Sequence, residues 1–274
     1  MALRPKLLDS LSDPLPRPIS DHNTTTNEDK ILGHMRITET LFYWGLTSTN
    51  ELTTVDGFLS PKGKDAVAKV AHTKKRARLF EWEVRTLLAL NGLGGTPRVL
   101  AVCEDYLGFL MQFCPGKTLK DMLEEKAPVS TILRGIYDLA LKVQDIHLAG
   151  FAHNDIKSDN VILETSADGL EVTARVIDLG LSTRLGLRPG FQGDPGFLRH
   201  MAPELLQMGA ASVESDLYSF GNILRSVMEQ YSEAFPEECQ LRFMVWNLTC
   251  SQPEWRPPFQ MFLDVLANSL DVHA

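Results

Sequence analysis

The stretch His153-Asn154-Asp155-Ile156-Lys157-Ser158-Asp159-Asn160-Val161-Ile162-Leu163 decides the fold of this 274-residue chain. Its first eight residues hold a histidine, three candidate anion or metal partners and a lysine, and an apolar strand follows at once. Phosphoryl transfer asks for few protein groups: a carboxylate to orient the attacking hydroxyl, metal ligands, and a cation near the developing negative charge. This stretch offers one of each. A plainer reading is also open, a polar turn entering a strand with Asp and Asn satisfying backbone groups.

Context decides between the two. Downstream, Val176-Ile177-Asp178-Leu179-Gly180 reads as a returning apolar strand that ends in Asp and then Gly, with Asp178 eighteen residues after Asn160. His153, Asp155 and Asn160 stand at His-x-Asp-x-x-x-x-Asn spacing, and in this the chain resembles the eukaryotic-type protein kinases. The resemblance implies Asp155 as catalytic base, Lys157 as a contact to the transferred phosphate, and Asn160 as ligand to a second Mg²⁺. It implies Asp178 as ligand to the Mg²⁺ that bridges the ATP phosphates, with Leu179 where the family has Phe. His153 is implied as a structural residue of the loop, Ile162 as part of the nucleotide site, and Gly180 as the residue that lets the chain turn sharply.

Three further stretches resemble the same family and are lacking in small-molecule phosphotransferases with a similar loop. Met201-Ala202-Pro203-Glu204 matches the motif that closes the activation segment. Ser215-Asp216-Leu217-Tyr218-Ser219-Phe220-Gly221 matches the Asp-x-x-x-x-Gly helix, which implies that Asp216 holds the catalytic-loop backbone by charge-assisted hydrogen bonds. Pro253-Glu254-Trp255-Arg256-Pro257 supplies Arg256, the implied buried partner of Glu204.

Upstream, Ala66-Val67-Ala68-Lys69-Val70-Ala71 is an apolar run around one cation, consistent with a strand. From Lys74 to Leu90, Ala77, Phe80, Val84, Leu87 and Leu88 fall at helical spacing, and Gly92, Gly94, Gly95 and Pro97 end the helix. The resemblance assigns Lys69 to the ATP α- and β-phosphates and Glu83, fourteen residues on, as its ion-pair partner; Glu81 is the rival. Strands are expected over Arg98 to Cys103 and Leu107 to Phe113. By the same resemblance Met111 is the gatekeeper, and Gln112, Phe113 and Cys114 present backbone groups to adenine. The corresponding region Leu46 to Gly63 carries only Gly57 and Gly63, a departure from the family's Gly-x-Gly-x-x-Gly.

The expected architecture is therefore α+β and bilobal: a small β-rich lobe with one main helix, and a larger, mostly helical lobe. Residues 1–35, proline-rich and then polar, read as a flexible extension. The kinase domain is expected over 36–274, with the first lobe at about 36–112, a hinge at about 112–116 and a cleft between the lobes.

Lys157, two residues after Asp155, points to serine/threonine kinases, with ATP and Mg as cofactors and a protein as substrate. Two positions depart from the family. Phe197 stands where those kinases place a threonine that hydrogen-bonds the catalytic Asp and Lys. Asn154 replaces the Arg that pairs with a phosphorylated activation loop, and residues 185–201 contain no Ser, Thr or Tyr. No control by phosphorylation there is expected. The alternative reading is a pseudokinase, the same fold serving as a binding or allosteric module.

A net charge of −8 argues against nucleic acid as a partner. No apolar run approaches the ~18 residues that span a bilayer, so no membrane partner is expected. Four scattered cysteines make no disulfide framework, which points to the cytoplasm. The basic run Lys74-Lys75-Arg76-Ala77-Arg78 leaves the nucleus open, although a solvated helix face explains it as well.

Overall fold

The structure, a computed structural model, describes residues 66–70, 77–103, 108–167, 169, 171–194 and 196–272. The expected extension 1–35 and the region Leu46 to Gly63 lie outside the described residues. The chain divides into two compact units, which it enters and leaves between Cys114 and Pro115 and around the short excursion Gly92–Thr96.

The first unit is built on three antiparallel strands, β1 (Ala66–Val70), β2 (Val99–Cys103) and β3 (Gly108–Gln112), in the order β1-β3-β2, with one helix, α1 (Ala77–Leu90). Register places Val67 opposite Met111 and Lys69 opposite Phe109. Period-two alternation therefore puts Val67 and Lys69 on one face. Helix α1 buries Trp82, Val84, Leu87 and Leu90, and Phe80 meets Phe109 edge-on at 6.0 Å between centroids. The helix stops where sequence punctuation says it should, at Asn91 and Gly92, both with left-handed backbone.

The second unit is mostly helical. Its centre is α3 (Val129–Leu148), which follows β4 (Lys117–Thr118) and α2 (Leu119–Glu124). Ile132, Leu133, Ile136, Leu139, Ala140, Val143 and Ile146 recur at three- and four-residue spacing and are all fully buried. Around this helix stand β5 (Phe151–Ala152), β6 (Val161–Thr165), β7 (Val172–Val176), β8 (Thr183–Arg184), α4 (Pro203–Leu206), α5 (Val213–Gln230), α6 (Gln240–Leu248) and α7 (Phe259–Val272). Strands β4, β6 and β7 form one small sheet and β5 with β8 another. Capping boxes at Thr118/Asp121 and Ser212/Ser215 start α2 and α5.

The glycines after α1 do more than end it. Gly94 has φ +62, and a side chain there would meet the Lys142 carbonyl and Ile146 Cγ1 at 2.5 Å. Only glycine lets this segment lie directly on α3. Among the described residues no helix is long and apolar enough to cross a membrane.

Candidate functional site

The loop that joins β5 to β6 is held from beneath by a buried charge. Asp216, in the first turn of α5 and fully buried, accepts the backbone N–H of His153 at 2.8 Å on Oδ2 and that of Asn154 at 2.8 Å on Oδ1. His147 Nε2, from the last turn of α3, reaches Oδ2 at 2.8 Å. Three donors converge on one carboxylate, as a buried anion requires.

His153 ties the loop to the strand that returns beside it. The backbone N–H of Asp155 donates to Nδ1 at 3.2 Å, so the ring proton belongs on Nε2, which donates to the Ile177 carbonyl at 3.2 Å. Asn154, left-handed at φ +64, donates through Nδ2 to the Leu181 carbonyl at 2.9 Å. Its buried Oδ1 has no hydrogen-bond partner among the described residues, a cost retained at a site of left-handed backbone.

The Asp155 carboxylate, 5% exposed, is gripped on both oxygens. Oδ2 accepts from Asn160 Nδ2 at 2.7 Å and from Lys157 Nζ at 3.0 Å. Oδ1 lies 2.8 Å from His200 Nε2. Burial by itself raises the Asp155 carboxyl, but the hydrogen bond with His200 and the charge and hydrogen bond of Lys157 outweigh it. The group sits below the ordinary aspartate value.

Asn160 and Asp178 come together through strand pairing. Val161 lies opposite Val176, and one step further the Ile177 N–H donates to the Asn160 carbonyl at 3.0 Å. Asp178 is the next residue. It takes the left-handed backbone of this turn at φ +61, and its Oδ1 accepts weakly from the Gly180 N–H at 3.4 Å. The chain then turns through Gly180 and Leu181, closed by the Ser182 N–H on the Leu179 carbonyl at 3.1 Å. Asn160 commits its amide nitrogen to the Asp155 carbonyl and carboxylate, so its Oδ1 is the atom suited to a cation. An amide oxygen and a carboxylate are hard donors of the kind Mg²⁺ takes, with phosphate and water completing the shell. Among the described residues no group of three or more His, Cys, Asp or Glu forms a metal cluster. Ile162 is buried in β6 opposite Thr118.

In the first unit, Lys69 Nζ donates to both oxygens of Glu83 at 2.8 Å each. The rival Glu81 is instead paired with Arg85 at 2.5 Å. The Lys69 ammonium also lies 5.7 Å from the Phe80 ring centroid. Met111 is buried between its partners Val67 and Val99. Gln112 gives its N–H to the Arg98 carbonyl at 2.8 Å, so the carbonyl is its backbone group for the role expected of it. Cys114 is buried and Phe113 partly so.

A family model described as protein kinase domain matches residues 25–256. The chain belongs to the protein kinase domain family.

Curated proteins similar to this kinase domain include the spermatocyte protein spe-8 of Caenorhabditis elegans, 29% identical over 172 residues, which is 60% of this chain and 32% of that protein. The dual specificity protein kinase shkA of Dictyostelium discoideum is 32% identical over 157 residues, 55% of this chain and 28% of that protein. The serine/threonine-protein kinase RUNKEL of Arabidopsis thaliana is 30% identical over 161 residues, 55% of this chain and 11% of that protein. The matched stretch thus spans a third or less of each of these relatives.

In this kinase domain helix α4 is locked to the body by Arg256. Its Nη1 and Nη2 donate to the two Glu204 carboxylate oxygens at 2.6 and 2.8 Å, and Nε and Nη1 donate to the carbonyls of Cys250 and Glu214. Phe197, six residues before α4, is 87% exposed and has no side-chain donor to offer Asp155. Two site residues escaped the sequence reading. His147 carries no motif spacing to Asp216, 69 residues away, and nothing but the apolar rhythm of α3 marks its position. His200 lies 45 residues from Asp155 and no spacing links the two.

Proposed function

We propose that this chain transfers the γ-phosphate of ATP to a serine or threonine hydroxyl of a protein. The observation that carries the proposal is the Asp155 carboxylate, kept ionised and held on both oxygens, beside Asn160 and one strand-step from Asp178. Asp155 accepts the hydrogen of the acceptor hydroxyl and aims its oxygen. That oxygen forms the new bond to the γ-phosphorus while the bond to the β–γ bridging oxygen breaks, leaving ADP; the proton passes to Asp155 and then to solvent. Lys157 places its ammonium 3.0 Å from Asp155 Oδ2, where it offsets charge on the transferred group. Asn160 Oδ1 and the Asp178 carboxylate are the proposed ligands for Mg²⁺, which supplies charge neutralisation on the phosphates. Lys69, oriented by Glu83, is assigned to the α- and β-phosphates.

Serine/threonine preference rests on Lys157. An intracellular setting, cytoplasmic with the nucleus open, belongs to the same proposal; it rests on the need for ATP and on four scattered cysteines whose spacing makes no disulfide framework. The second reading, a pseudokinase, is favoured by the spacing of Gly57 and Gly63 and by the exposed Phe197.

Incubation with ATP, Mg²⁺ and a mixed acceptor protein, followed by acid hydrolysis, tests the reading. Phosphoserine or phosphothreonine is expected; phosphotyrosine alone would overturn the specificity. No transfer, with a nucleotide-induced thermal shift intact, gives the pseudokinase.

A further inference from the structure

The position expected to steady the Asp155 carboxylate from the activation segment holds Phe197, which points to solvent. Three residues on, His200 does reach it, with Nε2 2.8 Å from Oδ1. A carboxylate at neutral pH offers only acceptors, so Nε2 must be the donor in this contact. Asp155 Oδ2 already accepts from Lys157 and Asn160, whereas Oδ1 has no other side-chain donor among the described residues.

His200 is itself fixed. Its carbonyl accepts from Ser219 Oγ at 2.7 Å, and Ser219 is 1% exposed. Ser219 stands three residues after Asp216 on α5, so both project from one face of that helix. Asp216 holds the backbone at 153 and 154; Ser219 holds the backbone at 200. One helix face thus sets both partners of the His200–Asp155 contact in a common frame.

We propose that His200 is a positioning residue for phosphoryl transfer: its Nε2–H, anchored through Ser219, fixes the rotation of the Asp155 carboxylate so that the remaining lone pair on Oδ1 faces the acceptor hydroxyl. A carboxylate oxygen has room for two hydrogen bonds, so His200 and the acceptor share Oδ1 without competing. Held only through Oδ2, the carboxylate can turn about its own bond, and misplacement on the scale of an ångström costs about 10²-fold in rate. The proposal rests on the kinase reading above.

Three variants test it, each assayed for kcat, for KM of ATP and of the acceptor, and for melting temperature. His200→Gln keeps an N–H at the reach of Nε2 and loses the ring; His200→Phe keeps a ring and loses the donor; His200→Ala loses both. The expected result is a fall in kcat of about 10- to 10²-fold for Ala and Phe, with KM for ATP unchanged and Gln within about threefold of wild type. Full activity in Ala and Phe overturns the role of His200 while leaving the kinase reading intact. Activity kept by Phe and lost by Gln also overturns it, because packing of the ring would then be what matters. A wild-type protein that transfers no phosphate overturns both readings together. Should Ala melt too early to assay, Gln against Phe gives the same decision.

Discussion

Asp216 Oδ2 accepts the backbone N–H of His153 at 2.8 Å, which fastens the catalytic loop to the first turn of a helix 63 residues further along the chain. The same carboxylate takes the N–H of Asn154 and the His147 ring, and no part of it reaches water. Asp216→Asn keeps the shape but turns an NH₂ toward N–H donors. The expected loss is about 1.5–3 kcal/mol of unfolding free energy, measured by urea titration. An unchanged midpoint would contradict the role given to this charge.

Glu83 is 2% exposed, and Lys69 meets both of its oxygens. The two side chains should therefore be energetically coupled. A double-mutant cycle with Lys69→Met and Glu83→Gln, read by thermal or urea unfolding, is expected to give a coupling above about 1 kcal/mol. Additive effects would show that the pair contributes nothing beyond its separate members.

Arg256 uses its planar fork on Glu204 and its remaining donors on two carbonyls. Lysine carries the charge without that geometry. Arg256→Lys, which keeps the charge but loses the fork and the carbonyl contacts, is expected to destabilise the second unit by about 1.5–3 kcal/mol, the range for hydrogen bonds to charged groups. A loss under about 0.5 kcal/mol would place the pair among ordinary surface contacts.

Asn154 is buried, left-handed and bonded to Leu181, and residues 185–201 offer no hydroxyl to phosphorylate. The contact between loop and segment is thus made by an amide rather than by a phosphate. Phosphatase treatment is expected to leave activity unchanged. A large loss after dephosphorylation would show that a modified residue elsewhere orders the segment.

The legible parts of this molecule are those fixed by local chain geometry. Asp155, Lys157 and Asn160 share one short turn, so their spacing alone brings them into contact. The apolar rhythm of Ile132 to His147 announced α3, and the run around Lys69 announced β1. The α+β architecture, a sheet with one helix and then a largely helical unit, followed from those patterns. Illegible were contacts that depend on tertiary placement, where any polar residue of the right reach could have served. His200 on Asp155 and His147 on Asp216 are of this kind. One local signal was also misread in kind. Gly94 and Gly95 looked like helix terminators alone, whereas close approach to α3 at Gly94 and to the Ala174 carbonyl of β7 at Gly95 also requires them.

Transfer of radiolabelled phosphate from ATP to a generic protein acceptor, with wild type beside Asp155→Asn and Asp178→Asn, tests the central claim most directly. Wild type is expected to label the acceptor, and Asp155→Asn to fall by about 10²–10⁴-fold, the range for loss of a general base, with Asp178→Asn similarly impaired. Equal signals from all three proteins would contradict the claim that Asp155 and Asp178 carry phosphoryl transfer.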